Sequence, residues 1–157
     1  MQHDPSSARN RALREGHLGT VLSYRIAKAS VAVDEVFERQ VGQMTNLKPI
    51  EFSLLALAQS NVGAGPARLA EAVGISRPRA TQLLDHLTER GLVKRVPNAA
   101  DGRSLEIHVT PSGNQLVREG LRRLQTAERA ATTCLSEAEF GILIELLARI
   151  ASVAAVE

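Results

Sequence analysis

Residues 66–91 constrain the fold of this chain more than any other stretch, and they read PARLAEAVGISRPRATQLLDHLTERG. Pro66 predicts the start of a helix, because a first-turn N–H has no helical partner to lose. Gly74 predicts its end, since glycine tolerates the left-handed backbone of a helix C-terminus. Ser76 predicts the N-cap of a second helix, with Pro78 in its first turn. The stretch therefore predicts two short helices joined by a tight turn.

The second helix of this pair is predicted to have a buried stripe and a polar face. Apolar residues recur at i, i+3, i+4 and i+7, and they are Ala80, Leu83, Leu84 and Leu87. The first two turns then expose side chains that can bond phosphates or base edges: Arg77, Arg79, Thr81 and Gln82. Two interpretations stay equal at this point, a helix that enters a DNA groove and an ordinary helical hairpin with a solvated face.

The residues that follow decide between these interpretations. Residues 92–96 are apolar and basic, residues 97–104 are rich in turn formers, and residues 105–110 alternate strictly as Leu, Glu, Ile, His, Val, Thr. This pattern predicts a two-stranded hairpin. A helix-turn-helix followed directly by a hairpin whose loop carries Asp101-Gly102-Arg103 is a winged helix-turn-helix.

At this point the sequence resembles the multiple-antibiotic-resistance regulator (MarR) family of bacterial transcription factors. The matching segments, in order, are Leu69-Ala70-Glu71-Ala72-Val73-Gly74-Ile75-Ser76-Arg77, Leu83-Leu84-Asp85-His86-Leu87, Arg90-Gly91-Leu92-Val93, Asp101-Gly102-Arg103 and Thr110-Pro111-Ser112-Gly113. The similarity covers roughly residues 15–150, and outside the winged segment it depends on helix pattern more than on particular residues.

The resemblance implies a homodimer in which the terminal helices of two chains intertwine. It also implies that Arg103 enters the minor groove while Asp101 holds the wing in place. Arginine suits that role because a narrow minor groove concentrates negative potential. Family members commonly release DNA when a small phenolic or aromatic acid binds between the dimer helices and the winged domain.

The predicted fold class is mainly α with a small β-hairpin wing. We assign residues 47–110 to a winged helix-turn-helix DNA-binding domain, and residues 11–46 and 111–157 to a helical dimerisation region. Residues 1–10 are expected to be frayed. One long first helix is predicted from about Arg11 to Gly42, and a capping box at Ser136 and Glu139 predicts the start of the last helix. The apolar stripes of the terminal helices favour a symmetric dimer over a monomeric bundle.

The predicted DNA-binding surface comprises Ser76, Arg77, Pro78, Arg79, Thr81, Gln82, His86, Lys94, Arg95, Asp101 and Arg103. Within it, we expect Arg79 and Gln82 to read bases. The arginines at 77, 95 and 103, together with Lys94, are expected to bind mainly the phosphate backbone. The predicted ligand-binding residues are His17, Tyr24, Arg25 and Phe52, for which ordinary packing and surface charge are the alternative.

Positive charge is concentrated in the segment that contains the predicted DNA-binding residues. Residues 77–104 hold six basic and three acidic side chains, whereas the whole chain of 157 residues has a net charge of only +2. No phosphate-binding loop, nucleophile elbow or paired-histidine zinc motif occurs, and the four histidines are scattered. The sequence therefore predicts neither an enzyme nor a metal or cofactor site. The single cysteine, Cys134, is expected to be a small buried hydrophobe.

The N-terminus has no apolar signal region, and no apolar run approaches membrane-spanning length, so we expect a cytoplasmic protein that does not bind membranes. We interpret the chain as a dimeric, sequence-specific repressor that binds a pseudo-palindromic duplex. A small aromatic or phenolic effector, as an acid or a thioester, is expected to release it. The alternative is a winged-helix protein-interaction module without specific DNA readout. That module would not need arginines at 77, 79 and 103 together.

Overall fold

The computed structural model describes residues 13–98 and 104–153, which form helices and one antiparallel hairpin. The order is a 3₁₀ turn (Gly16–Thr20), α1 (Leu22–Phe37), a π-helical turn (Glu38–Gly42), α2 (Gln43–Thr45), α3 (Pro49–Ser60), α4 (Pro66–Ala72), α5 (Arg77–Glu89), β1 (Val93–Pro97), β2 (Leu105–Val109), α6 (Pro111–Ala131) and α7 (Glu137–Val153). The predicted fold class is confirmed. The predicted domain limits stay a prediction.

The core lies in the winged unit formed by α3, α4, α5 and the hairpin. Its largest fully buried side chains include Leu54 and Leu55 from α3, Leu84 and Leu87 from α5, and Ile107 from β2. Burial of each such side chain contributes about 1.5–3 kcal/mol relative to exposure. The apolar stripe predicted for the second helix of the motif is therefore the contact that holds α5 in place.

The predicted helix boundaries in the motif are confirmed. α4 ends at Ala72, and Gly74, with a φ of 69°, lies in the turn between α4 and α5. Ser76 is the N-cap of α5, and its hydroxyl oxygen accepts the N–H of Arg79 at 3.4 Å. At the last helix, the N–H of Ser136 donates to the Glu139 carboxylate at 2.8 Å, as a capping box requires.

The hairpin is joined to the rest of the winged unit on both sides. Within it, Val93 pairs with Val109 and Arg95 pairs with Ile107. The N–H of Ile107 donates to the carbonyl of Ala64 at 3.0 Å, which attaches β2 to the loop before α4. On the other side, Arg95 of β1 pairs with Asp85 of α5, so each strand of the wing contacts a different part of the winged unit.

The first helix is not the single uninterrupted helix that the sequence predicted. Gly16 has a φ of 54° and Val21 is extended at ψ 118°, so regular helix begins only at Leu22. A π-helical turn then inserts extra residues between α1 and α2, which turns Val41 toward the core. Residues 1–12, including the segment predicted to be frayed, lie outside the described part of the chain.

The apolar faces of α1 and α7 are exposed in a single chain. On α1 only Val36 and Phe37 are buried, whereas Leu22 is 57% exposed. On α7, Ile144 and Ile150 are 54% and 45% exposed. Exposed apolar stripes on two long helices are typical of an interface. These stripes were predicted to form a dimer interface, and a second chain would cover them.

Candidate nucleic-acid interface

The amino-terminal half of α5 presents a polar surface to solvent. Because its apolar stripe is fixed against the core, Arg77, Arg79, Thr81 and Gln82 are exposed on the first turns. Among the described residues, the side chains of Arg77, Arg79 and Gln82 form neither a hydrogen bond nor an ion pair with one another or with other groups. Their donors and acceptors are therefore available to a ligand from outside the chain.

The remaining residues at this end of α5 support the helix itself. Ser76 caps it, Pro78 lies in its first turn, and the Thr81 hydroxyl donates to the carbonyl of Arg77 at 3.1 Å. The N-terminus of a helix carries unpaired N–H groups and a positive dipole end. An anion such as a DNA phosphate is favoured there, and the two arginines add full positive charge beside it.

Basic residues of β1 lie beside this helix but differ in availability. Lys94 is exposed, whereas Arg95 is half-buried and its Nη2 lies 2.7 Å from Asp85 Oδ1 on α5. Asp85 therefore fixes the strand against the helix and partly neutralises Arg95. Phosphate binding by Arg95 stays a prediction. Asp101 and Arg103, predicted to hold and insert the wing, lie outside the described residues.

His86 contacts the start of α3 with one ring nitrogen, while 42% of its side chain stays exposed. Its Nδ1 lies 2.5 Å from Oε1 of Glu51, a residue that is only 4% exposed. Burial acts to raise the pKa of the Glu51 carboxyl, but the backbone N–H of Lys48 and the His86 ring lower it by more, so the net pKa is below the ordinary value. The predicted DNA contact at His86 is thus occupied within the chain through one ring nitrogen.

Two of the four predicted ligand-binding residues, Tyr24 and Arg25, lie together at the start of α1. Arg25 donates to the carbonyl of Gly19 at 2.8 Å, and its Nη1 is 2.9 Å from Glu15 Oε2. The Tyr24 hydroxyl lies 3.3 Å from the same carboxylate, which also pairs with Lys28. The hydrogen bond from Lys28 lowers the pKa of Glu15, with further lowering from Arg25 and Tyr24.

Phe52 does not join that group. It is 4% exposed, packs edge-on against Phe37 with ring centroids 5.8 Å apart, and lies against Gly120 of α6. In the single chain its side chain therefore fills the core between α1 and α6, and its role as a ligand contact stays a prediction. His17 is exposed on the 3₁₀ turn that precedes α1.

Two cavities lie near these residues. An apolar groove of about 550 Å³ runs between α1 and α7, with Arg25 on its wall among Leu22, Ile26, Leu147 and Ile150. The sequence showed both stripes, but no periodicity could show that α1 and α7 would face each other across an open groove. A polar cavity of about 410 Å³ lies between Glu38, Lys48, Glu51 and His86.

The described residues contain no cluster of three or more His, Cys, Asp or Glu side chains that could hold a metal ion. In the same part of the chain, no helix is both long and apolar enough to cross a membrane. Cys134 is exposed, which corrects the prediction that it would be buried. It falls in the turn between α6 and α7, where neither helix covers it.

Comparisons with known proteins agree with this geometry. A model of the MarR family matches residues 45–104. A putative transcriptional regulatory protein for the hcr operon of Thauera aromatica is 25% identical over 146 residues, covering 93% of this chain and 88% of that protein. The transcriptional repressor CouR bound to a 23-mer DNA duplex aligns with a TM-score of 0.81 and 31% identity, over 90% of this chain and 99% of CouR. CouR bound to p-coumaroyl-CoA gives a TM-score of 0.77 and 29% identity, over 89% and 98% of the two chains.

Proposed function

The chain belongs to the MarR family of transcriptional regulators, and because of this membership we propose that it is a dimeric repressor of a specific, pseudo-palindromic DNA operator. The observation that carries the proposal is the exposed face of α5, where Arg77, Arg79 and Gln82 have no partner among the described residues. A helix held by its apolar stripe, with free cations and an amide on its outer side, is suited to a major groove.

Dimer formation follows from the exposed stripes of α1 and α7. A second copy would cover both, and a two-fold axis would place two α5 helices on the same side of the dimer. Such dimers read half-sites about 34–36 Å apart, one turn of the duplex. Because the target is chromosomal DNA, we expect the protein to work in the cytoplasm, without catalytic activity and without a metal or cofactor.

Gel shift and footprinting with the DNA upstream of the protein's own gene test this function. We expect one protected region with two half-sites. Arg79→Ala should weaken binding to that region by about 1–3 kcal/mol while leaving random duplex little changed. Arg118→Ala, which removes an exposed arginine on α6, is the matched control for loss of one positive charge. Weak binding by the wild-type dimer that ignores sequence would favour the protein-interaction module instead.

We further propose that a small aromatic acid or its thioester releases the operator. CouR, a relative at 29% identity in that structure, is bound to p-coumaroyl-CoA. In the dimer a second copy would enclose the apolar α1–α7 groove, and Arg25 on its wall would exchange its contacts with Glu15 and Gly19 for an anionic group of the ligand. Tyr24 precedes Arg25 on α1 and contacts the same Glu15 carboxylate, and His17 lies on the 3₁₀ turn before α1. Phe52 is excluded from direct contact because the core covers it.

An effector changes operator affinity only if it binds the two states of the dimer with different affinity. A thermal-shift screen of hydroxycinnamic acids, benzoic acids and their CoA thioesters identifies binders, and operator release is then measured with each hit. We expect hits to raise the melting temperature and to weaken operator binding together. A binder that stabilises the dimer but leaves operator affinity unchanged would refute this mechanism of release.

A further inference from the structure

We call α1, the π-helical turn and α2 together the arm. Side chains from the second half of α5 bind the end of the arm and the segment that connects it to the winged unit. His86 and Arg90 lie four residues apart and therefore share one face of the chain near the end of the helix. The Arg90 guanidinium donates from Nη2 to the carbonyl of Thr45 and from Nη1 to that of Asn46, the latter at 3.4 Å. His86 contacts Glu51 at 2.5 Å.

The carbonyls that Arg90 binds belong to the end of the arm. α2 ends at Thr45, and Asn46 has a left-handed backbone with a φ of 51°. The last carbonyls of a helix have no helical partner, and a cation there is favoured both by hydrogen bonding and by the helix dipole. Arg90 thus caps the arm with a side chain from the end of α5, which we call the recognition helix because it is the helix proposed to enter the major groove.

The two residues that follow are also fixed. Leu47 is 2% exposed, so it anchors the connecting segment in the core. The N–H of Lys48 donates to Glu51 Oε2 at 2.8 Å, while the other oxygen of that carboxylate receives His86. Glu51 therefore links the start of α3, the connecting segment and α5 through one buried group.

We propose that Arg90, assisted by His86, is a positioning residue that holds the recognition helix at a set angle to the arm and so determines which half-site spacing the dimer accepts. The inference rests on the proposed function, because it needs a dimer that reads two half-sites. A guanidinium fork bound to two consecutive carbonyls restrains rotation, whereas a single ammonium acts as a point charge.

The distance from the Arg90 contact to the DNA-reading end of α5 is large enough for a small rotation to change the half-site spacing. α5 has 13 residues, which at 1.5 Å per residue is about 20 Å. A rotation of the winged unit by about 10° about the Arg90 contact therefore moves the reading end of α5 by roughly 3.5 Å, close to one base-pair step of the duplex. Loosening the contact should broaden the range of spacings that the dimer tolerates.

The test compares operator duplexes that have one or two base pairs inserted or deleted between the half-sites, with a single half-site as reference. Dissociation constants are measured for wild type, Arg90→Ala, Arg90→Lys and Arg68→Ala. Arg68 is an exposed arginine on α4 and serves as the control for loss of charge from the same unit. In Arg90→Ala, we expect the preference for the native spacing to fall by roughly 2- to 30-fold relative to wild type. Arg68→Ala should keep that preference.

Arg90→Lys separates geometry from charge. It should lose part of the spacing preference while keeping the wild-type slope of affinity against salt, because the charge is retained. An equal loss for all spacings in Arg90→Ala, with a flatter salt slope, would show that Arg90 only contacts phosphate and would overturn the proposal. If wild type binds paired and single half-sites equally, the proposed dimeric readout itself fails.

A measurement without DNA covers the case in which Arg90→Ala does not fold. Nitroxide labels at Glu89→Cys in a Cys134→Ser background report the distance between the two recognition helices of the dimer. We expect a broader distance distribution in Arg90→Lys or His86→Ala than in the labelled parent. An unchanged distribution in both variants would contradict the positioning role.

Discussion

Substitution of Gly113 by alanine should destabilise the protein, because this glycine lies where α6 meets the wing. A Cβ built on Gly113 would lie 2.2 Å from the carbonyl oxygen of Leu92 and 2.8 Å from Cγ1 of Val109. The Leu92 oxygen cannot move freely, since it already accepts the N–H of Thr110 at 3.0 Å and the hydroxyl of the same residue at 3.2 Å. Restoring ordinary contact would require a shift of about 1.2 Å between helix and strand.

The cost follows from that geometry. Overpacking of a core typically costs about 1–3 kcal/mol, and the backbone obstacle here places Gly113→Ala at the upper end. Alanine regains at most about 1 kcal/mol of helix propensity. We therefore expect a net loss of about 2 kcal/mol or more, equivalent to roughly 4–8 °C in Tm for a chain of this size.

Thermal and urea unfolding at one fixed protein concentration measure the loss, since dimer stability depends on concentration. Gly120→Ala is the matched control, because its Cβ would meet the ring edge of Phe52 at 2.6 Å and a ring can shift where a carbonyl cannot. It should lose less than Gly113→Ala. The reasoning is refuted if Gly113→Ala unfolds like wild type, or if the order of the two variants is reversed.

Three further outcomes are expected. Gln82→Ala should lose affinity for the operator but not for random duplex, and equal losses on both duplexes would contradict base readout. Lys94→Ala should weaken binding to both duplexes and flatten the log–log slope of affinity against salt by about 0.9. Because the pKa of Glu51 is lowered in the folded chain, its contribution to stability is complete above the ordinary glutamate pKa of about 4.3 and disappears as the pH falls through the lower folded value. Urea unfolding measures the difference in free energy of unfolding between wild type and Glu51→Gln. This difference should shrink as the pH falls through that range, and a constant difference would contradict the lowered pKa of Glu51. Arg25→Ala should keep operator affinity but lose most of the thermal shift produced by an aromatic acid, and a normal response would exclude Arg25 as its anchor.

The parts of the fold that sequence could predict are those set by local chemistry. Gly74, Ser76 and Pro78 act within one turn of the chain, and the stripe that ends at Leu87 needs only a helical period. The structure has each of these where the sequence placed it. The turn signals between residues 97 and 104 likewise sufficed to predict the hairpin.

The parts that sequence could not predict depend on contacts between distant segments. His86 and Glu51 are 35 residues apart, and Arg90 is 45 residues from Thr45. No spacing rule joins such pairs, so the sequence showed neither the contact of His86 with Glu51 nor that of Arg90 with the end of α2. Phe52 was predicted as a ligand contact, but its packing against Gly120 of α6, which no local pattern shows, buries the ring in the core.

The same long-range contacts explain how one small helix can serve two purposes. Among the described residues, the side chains of Arg77, Arg79 and Gln82 in the first turns of α5 have no hydrogen-bond or ion-pair partner and can adapt to a duplex. Its last turns are bound to the arm through Arg90 and to the start of α3 through His86. Readout needs free side chains, but agreement with a fixed half-site spacing needs a fixed helix. Placing the two requirements at opposite ends of one helix satisfies both. A ligand that moves the arm would then act on the bound end, and the free end would carry the change to the DNA.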